Sequence, residues 1–235
     1  MTDPSPAGRV AALVPAAGRG ERLGPGAPKA LREIAGTPML VHAVKALTAS
    51  PMVDFVVVAA PSESVEQVRS LLIGSEVGAD VIVVAGGETR AESVARALIN
   101  LPDDVDVVLV HDAARPLVPV EVVSCVAAAV REGHEAVIPV LPLVDTIRSV
   151  DADGSITGTV PRHELRAVQT PQGFQRAVLQ RAHAEVDDSV TDDAGMVESL
   201  NIPLHAVAGH EESFKVTRPM DIVLAEAVIA KRRVR

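Results

Sequence analysis

Short runs of apolar, often β-branched residues alternate with longer stretches of helical period along this chain of 235 residues. The runs at 10–14, 55–59, 81–84, 107–110 and 136–139 do not alternate apolar with polar, which predicts strands covered on both faces and hence a mainly parallel sheet. Between them lie 38–49, 64–72, 91–101 and 120–131, each long enough for a helical crossover. Thr37 followed by Pro38 predicts an N-cap with a proline at the first helical position, and Ser64 with Gln67 predicts a capping box. The expected fold class is α/β, a Rossmann-like sheet flanked by helices.

The regular beat breaks after Pro142. Residues 146–150 and 155–160 are short and strand-like, and Asp151, Ala152, Asp153 and Gly154 between them make a good turn, so a projecting β-hairpin is expected. Such an arm exposes Ile147, Val150, Ile156 and Val160, a set that suggests a subunit interface; an arm folded back on its own domain fits the pattern equally well. Residues 174–185, 192–200 and 219–230 predict helices around a further strand at 204–208. No linker divides the chain, so a single domain over residues 1–235 is expected, with the β-arm at about 143–168 for dimerisation.

Composition narrows the chemistry. Three Phe and no Trp or Tyr leave nucleic-acid recognition by aromatic stacking without its usual residues, and a formal charge of −9 repels nucleic-acid backbones. Cys125 is the single cysteine, so neither an internal disulfide nor a cysteine-based metal site can form. No apolar run approaches the ~18 residues of a membrane helix, and the first residues lack a signal-peptide pattern, so no membrane association and a cytoplasmic location are expected. Local clusters such as Arg19, Arg22 and Lys29 keep small anionic substrates in view, while the basic end at Lys231, Arg232, Arg233 and Arg235 reads as a solvated helix terminus.

Two segments carry the chemistry. Pro15, Ala16, Ala17, Gly18, Arg19, Gly20, Glu21 and Arg22 follow the first strand and lead through a Gly/Pro loop to Pro28 and Lys29. Ligands of open α/β sheets bind beyond the carboxyl ends of the strands, and small residues there let backbone N–H groups approach phosphate oxygens. The glycine spacing fits neither the dinucleotide G-x-G-x-x-G nor G-x-x-x-x-G-K-[ST]. At the end of the fourth strand stand His111, Asp112, Ala113, Ala114 and Arg115. One carboxylate suffices for Mg²⁺ when substrate phosphates and waters complete the octahedron, which makes Asp112 the metal candidate; His111 reads as a hydrogen-bonded structural residue. Neither H-E-x-x-H nor G-x-S-x-G occurs.

These segments, in this order, resemble the cytidylyltransferases of the GT-A-like nucleotidyltransferase superfamily, and specifically the 2-C-methyl-D-erythritol 4-phosphate cytidylyltransferase family. The resemblance runs through 15–29, 86–94, 110–116, Asp145-Thr146, Thr170-Pro171-Gln172, Thr191-Asp192-Asp193 and 215–219. It implies transfer of CMP from CTP to 2-C-methyl-D-erythritol 4-phosphate, with Mg²⁺ as cofactor and pyrophosphate as the second product. It implies that Arg22 and Lys29 stabilise the transition state around the triphosphate, and that Arg162 and Lys215 position the incoming phosphate. Asp112 matches the Mg²⁺ carboxylate, which also lies near the polyol. Pro15, Ala16, Ala17, Gly18, Gly20, Gly87, Glu88 and Ser93 match the nucleotide surroundings, with Glu88 where an Asp is more usual. Arg115, Thr146, Thr170 and Thr191 match positions on the acceptor side. Family members exchange the hairpin between the subunits of a homodimer, and Arg166, four residues after Arg162, competes with it for the positioning role. Ribitol 5-phosphate cytidylyltransferases carry nearly the same motifs, and a non-catalytic CTP-binding protein is the third reading.

Overall fold

The computed structural model describes residues 8–18, 28–77, 80–186 and 190–233. The chain enters as β1 (Arg9–Pro15) and, beyond Lys29, forms the two-residue ribbon β2 (Glu33–Ile34) and β3 (Thr37–Pro38). Then come α1 (Met39–Thr48), β4 (Phe55–Ala60), α2 (Val65–Ile73), β5 (Asp80–Ala85), α3 (Arg90–Leu98), β6 (Val105–Val110), α4 (Val120–Arg131) and β7 (Ala136–Pro142). The arm strands β8 (Ile147–Val150) and β9 (Ile156–Val160) follow, then β10 (Arg166–Val168), β11 (Gln172–Gln175), α5 (Arg176–Glu185), α6 (Asp193–Ser199), β12 (Leu204–Ala208) and α7 (Pro219–Arg233).

Among the described residues eight of these strands form one sheet. β1 lies between β4 and β6, and β5 flanks β4, all in parallel. β11 runs antiparallel between β6 and β7. On the far edge of β7, β12 pairs in parallel, so that Val137 faces Gly173 on one side and His205 on the other. β10 continues the β11 edge, with Arg166 opposite Pro142.

Burial on both faces explains the unbroken apolar runs. Along β1, Val10, Ala12 and Val14 point into a cluster with α1, α2 and α4, while Ala11 and Leu13 point into a second cluster with α3, α5 and α6. Leu13 is fully buried, and its truncation to Ala would forfeit about 2–5 kcal/mol. A third cluster joins Ile34, Met39, Leu117 and Val216 to Ala225 and Ile229, and so fixes α7 beside the segment that carries Lys215.

The parallel strands, α4 and β12 stand where the apolar pattern puts them, and three local expectations are corrected. Thr37 does not cap α1: it belongs to β3, and the extended Pro38 is the N-cap, with no side-chain capping bond. Ser64 is the N-cap of α2 but accepts no capping bond, because a 3₁₀ turn over Ser62–Ser64 already coils the chain into the helix. Phe174, expected to open a helix, lies fully buried in β11, and α5 starts only at Arg176. The hairpin matches expectation: Ile147 pairs with Val160 and Val150 with Ile156. Its turn is held by Asp151 Oδ1, which accepts from the N–H groups of Asp153 (3.1 Å) and Ser155 (2.8 Å), and by Gly154 at φ +84°. Since β10 rejoins the main sheet, the projecting part ends before Arg166.

Candidate active site

Beyond the carboxyl ends of β1 and β6 a cleft opens, lined by Pro15, Ala16, Ala17, Gly18, Lys29, Gly87, Glu88, Ser93, Asp112 and Lys215 among the residues expected from sequence. Ala30, Thr89, Arg90, Ala113, Ala114 and Thr217 complete the lining. A Cβ on Gly18 would meet none of the described residues within 4 Å. Arg22 and Gly20 lie outside the described residues.

One wall is a loop folded by its own helix. Thr89 caps α3 through the Glu92 N–H (3.0 Å), and the Glu92 carboxylate reaches back to the Glu88 N–H (2.8 Å). Ser93 Oγ accepts from the Gly87 N–H (3.0 Å) and donates to Thr89 O (2.9 Å), while Arg96 donates to Gly86 O (2.6 Å). Gly86 is required by its neighbours: a Cβ there would stand 2.7 Å from the Ala17 Cβ, so only glycine lets this loop close against the β1 loop. The α3 N-terminus, which favours negative charge, therefore faces the cleft in a fixed loop.

The opposite wall is electrostatic. The Asp112 carboxylate accepts from Arg90 Nε at Oδ1 (3.2 Å) and from Lys215 Nζ at Oδ2 (2.6 Å). Burial works against its charged form, but the adjacent Arg90 and Lys215 outweigh it and hold the carboxyl well below the usual carboxylate range. Arg90 also donates to Asp193 Oδ2 (2.5 Å), and Asp193, at 0% exposure, is bonded through Oδ1 to His183 Nε2 (2.9 Å). Burial disfavours the charge of Asp193, and His183 and Arg90 override it, so its carboxyl too stays low.

A second set of bonds holds the Asp112 backbone. Its N–H donates to Thr170 Oγ1 (3.1 Å), which bonds His111 Nδ1 (3.0 Å), and His111 Nε2 bonds Arg115 O (3.0 Å). A carbonyl cannot donate, so Nε2 carries the proton, and Nδ1 is left to accept from the Thr170 hydroxyl. Every group in the chain is satisfied with a neutral ring, and burial pushes the His111 pKa down to about 4. His111 is thus the structural residue expected.

Five expected residues lie away from the cleft lining. Thr170 acts from behind Asp112. Arg115 is half-buried and donates to Ser213 O (2.7 Å) and Val168 O (3.1 Å), tying β10 to the turn before Lys215. Thr191 is exposed just before the α6 N-cap Asp192. Thr146 and Arg162 are exposed on the arm, where Arg162 donates to Val144 O; Arg166 donates to His163 O (2.9 Å) and Leu165 O (2.8 Å) at the arm's return. Among the described residues, Arg90 is the charged lining residue with no role assigned from sequence, since its partners Asp112 and Asp193 are 22 and 103 positions away.

The family model for 2-C-methyl-D-erythritol 4-phosphate cytidylyltransferase matches residues 10–231. A protein of that name from Frankia casuarinae is 60% identical over 223 residues, covering 95% of this chain and 82% of the relative. Its counterpart from Streptomyces avermitilis is 57% identical, covering 98% of this chain and 96% of the relative. The crystal structure of 2-C-methyl-D-erythritol 4-phosphate cytidylyltransferase from Thermus thermophilus is 36% identical with a TM-score of 0.74, covering 94% of this chain and 98% of that one. With the fold, the cleft and a match over nearly its full length in agreement, the chain belongs to the 2-C-methyl-D-erythritol 4-phosphate cytidylyltransferase family.

Proposed function

We propose that the cleft binds CTP and 2-C-methyl-D-erythritol 4-phosphate side by side and transfers CMP between them, releasing pyrophosphate. The observation that carries this reading is the meeting of a glycine loop, Lys29, Asp112 and Lys215 in one cleft, the inventory that joining two polyanions requires. A phosphate monoester, with a second pKa near ~6, is already a nucleophile at neutral pH, so no side chain need remove a proton. Its oxygen attacks the α-phosphorus, and the bond to the departing pyrophosphate breaks. The protein's work is alignment and relief of charge repulsion. Lys29, with Arg22, serves the triphosphate; Lys215 serves the acceptor phosphate; the Gly86–Ser93 loop and residues 15–18 hold the nucleotide.

Mg²⁺ fits as a complex with the triphosphate. Among the described residues no group of three or more His, Cys, Asp or Glu side chains could hold a metal ion, and the described cleft lining offers two carboxylates, Asp112 and Glu88. Asp112 would hold the ion, which when bound offsets triphosphate charge. Arg162 and Thr146 are exposed on an arm none of whose residues between Val144 and Leu165 joins the apolar clusters, which supports a homodimer in which each arm completes the partner's acceptor site. The chain acts as one nucleotidyltransferase domain, in the cytoplasm; among the described residues no helix is long and apolar enough to cross a membrane.

Pyrophosphate release from CTP and Mg²⁺, with 2-C-methyl-D-erythritol 4-phosphate and ribitol 5-phosphate offered in parallel, tests the reading. Release with the first acceptor alone is expected, and ATP, GTP and UTP should give little. Preference for ribitol phosphate would move the acceptor assignment, and no release with either would leave a CTP-binding protein.

A further inference from the structure

Arg90 presents an electrostatic difficulty. It binds Asp112 Oδ1, and a cation that simply neutralised Asp112 would spoil the carboxylate for a divalent ion. Behind Arg90, however, stands Asp193, fully buried and 2.5 Å from Nη1. His183, with a side chain only 7% exposed, bonds the other Asp193 oxygen. Asp193 does not line the cleft, and no chemistry requires a carboxylate at that depth; burying one is costly unless it answers another charge.

We propose that Asp193 is the counter-charge of Arg90, so that Arg90 orients the Asp112 carboxylate without cancelling its charge and leaves it available to a metal–triphosphate. With Arg90 and Asp193 together neutral, the cation bonded to Asp112 that carries a net charge is Lys215, whose side chain is 40% exposed. Arg90 and Asp193 are positioning residues: Arg90 through the rigid fork of its guanidinium, which reaches both acids at once, and Asp193 through its charge. Arg90 opens α3 and Asp193 opens α6, and the packing of those helices brings the Asp193 carboxylate to the Arg90 guanidinium.

This inference rests on Asp112 being the metal carboxylate, and the test separates the two. The affinity for CTP is measured by calorimetry with Mn²⁺ and with EDTA, in the absence of acceptor; the ratio reports the metal's contact with the protein. Asp193→Asn, which leaves Arg90 uncompensated, is expected to lower that ratio by about 10-fold, the loss usual for a supporting residue behind a metal ligand. The double variant Asp193→Asn/Arg90→Gln restores the balance of charge and should return the ratio to within about 3-fold of the wild type, as coupled neighbours do. A merely structural pair would show no such recovery. If Asp193→Asn alone does not fold, the double variant decides: with both buried charges gone, its ratio should stay within about 3-fold of the wild type. An unchanged ratio in a folded Asp193→Asn, or a double variant whose ratio falls as far as about 10-fold, overturns the proposal. An unchanged ratio in Asp112→Asn instead overturns the metal assignment itself.

Discussion

The two regions to which the proposed reaction is assigned are built in opposite ways. The proposed nucleotide wall, Gly86–Ser93 against residues 15–18, is tied by five hydrogen bonds from Thr89, Glu92, Ser93 and Arg96 and packs against the loop that follows the buried β1. The arm pairs only β8 with β9, and none of its residues between Val144 and Leu165 enters the three apolar clusters. Val144, Val150 and Ile156 are exposed on it. One wall is preorganised within the chain, whereas the other displays apolar side chains and an arginine as though for another surface. On the proposed function, nucleotide binding and acceptor choice would fall to regions of different stability.

Removing Lys29 probes the preorganised side most severely. Lys29→Ala should lower turnover by at least ~100-fold with an unchanged melting temperature, because a phosphate-facing cation acts mainly on transition-state charge. Near-normal turnover would take it out of the triphosphate role. On the arm, Arg162→Ala should cost about 10–100-fold, and mixing it with Lys29→Ala subunits should recover about a quarter of wild-type activity. Half of the dimers are then mixed, and one of the two sites in each is intact. No recovery after verified subunit exchange would place Arg162 in its own subunit's site.

A smaller effect concerns the support behind Asp112. His111 is buried neutral with its pKa pushed down to about 4, below the ordinary value of 6.5, so the unfolded chain binds the extra proton as pH falls. Stability is present above about pH 6.5 and declines through pH 4, by about 2 kcal/mol between pH 7.5 and 5 from this group. Urea midpoints for wild type and His111→Gln should converge over that range; parallel curves would show that the ring titrates freely. Smallest is Gly154→Ala, where φ is +84°. About 1 kcal/mol of strain should speed hydrogen exchange in the arm and leave core amides unchanged, and equal acceleration in β1 would show that the two regions unfold together.

What the sequence disclosed follows the same division. The parallel strands were legible because burial on both faces removes polar positions from them, and the cleft residues because they follow strand ends. β10 and β11 were not: Arg166-Ala167-Val168 and Gln172-Gly173-Phe174-Gln175 carry no apolar run, and their strand character comes from their neighbours, β7 for β10 and β6 and β7 for β11. The caps at Thr37 and Ser64 were overruled by the chain arriving as a short ribbon and as a 3₁₀ turn. Arg90 escaped because its chemistry depends on Asp193, which only the packing of α6 brings within reach. Arg115 shows the converse: a cation beside the motif is spent on two carbonyls.

The reversal of β11 has a wider consequence. In a wholly parallel sheet only the exits of strands reach the ligand edge; here β11 runs backwards beside β6, so its entrance, at Thr170 and Gln172, arrives at the rim where Asp112 sits. One rim is thus supplied from both directions of the chain. The segment between β7 and β11, arm included, leaves and re-enters the sheet at that rim without crossing the parallel strands. It can lengthen, shorten or change its side chains while β1, β4, β5 and β6 keep their register. If the arm does serve the acceptor as proposed, acceptor preference could diverge through its tip while Thr170, at the entrance of β11, keeps its hold on Asp112.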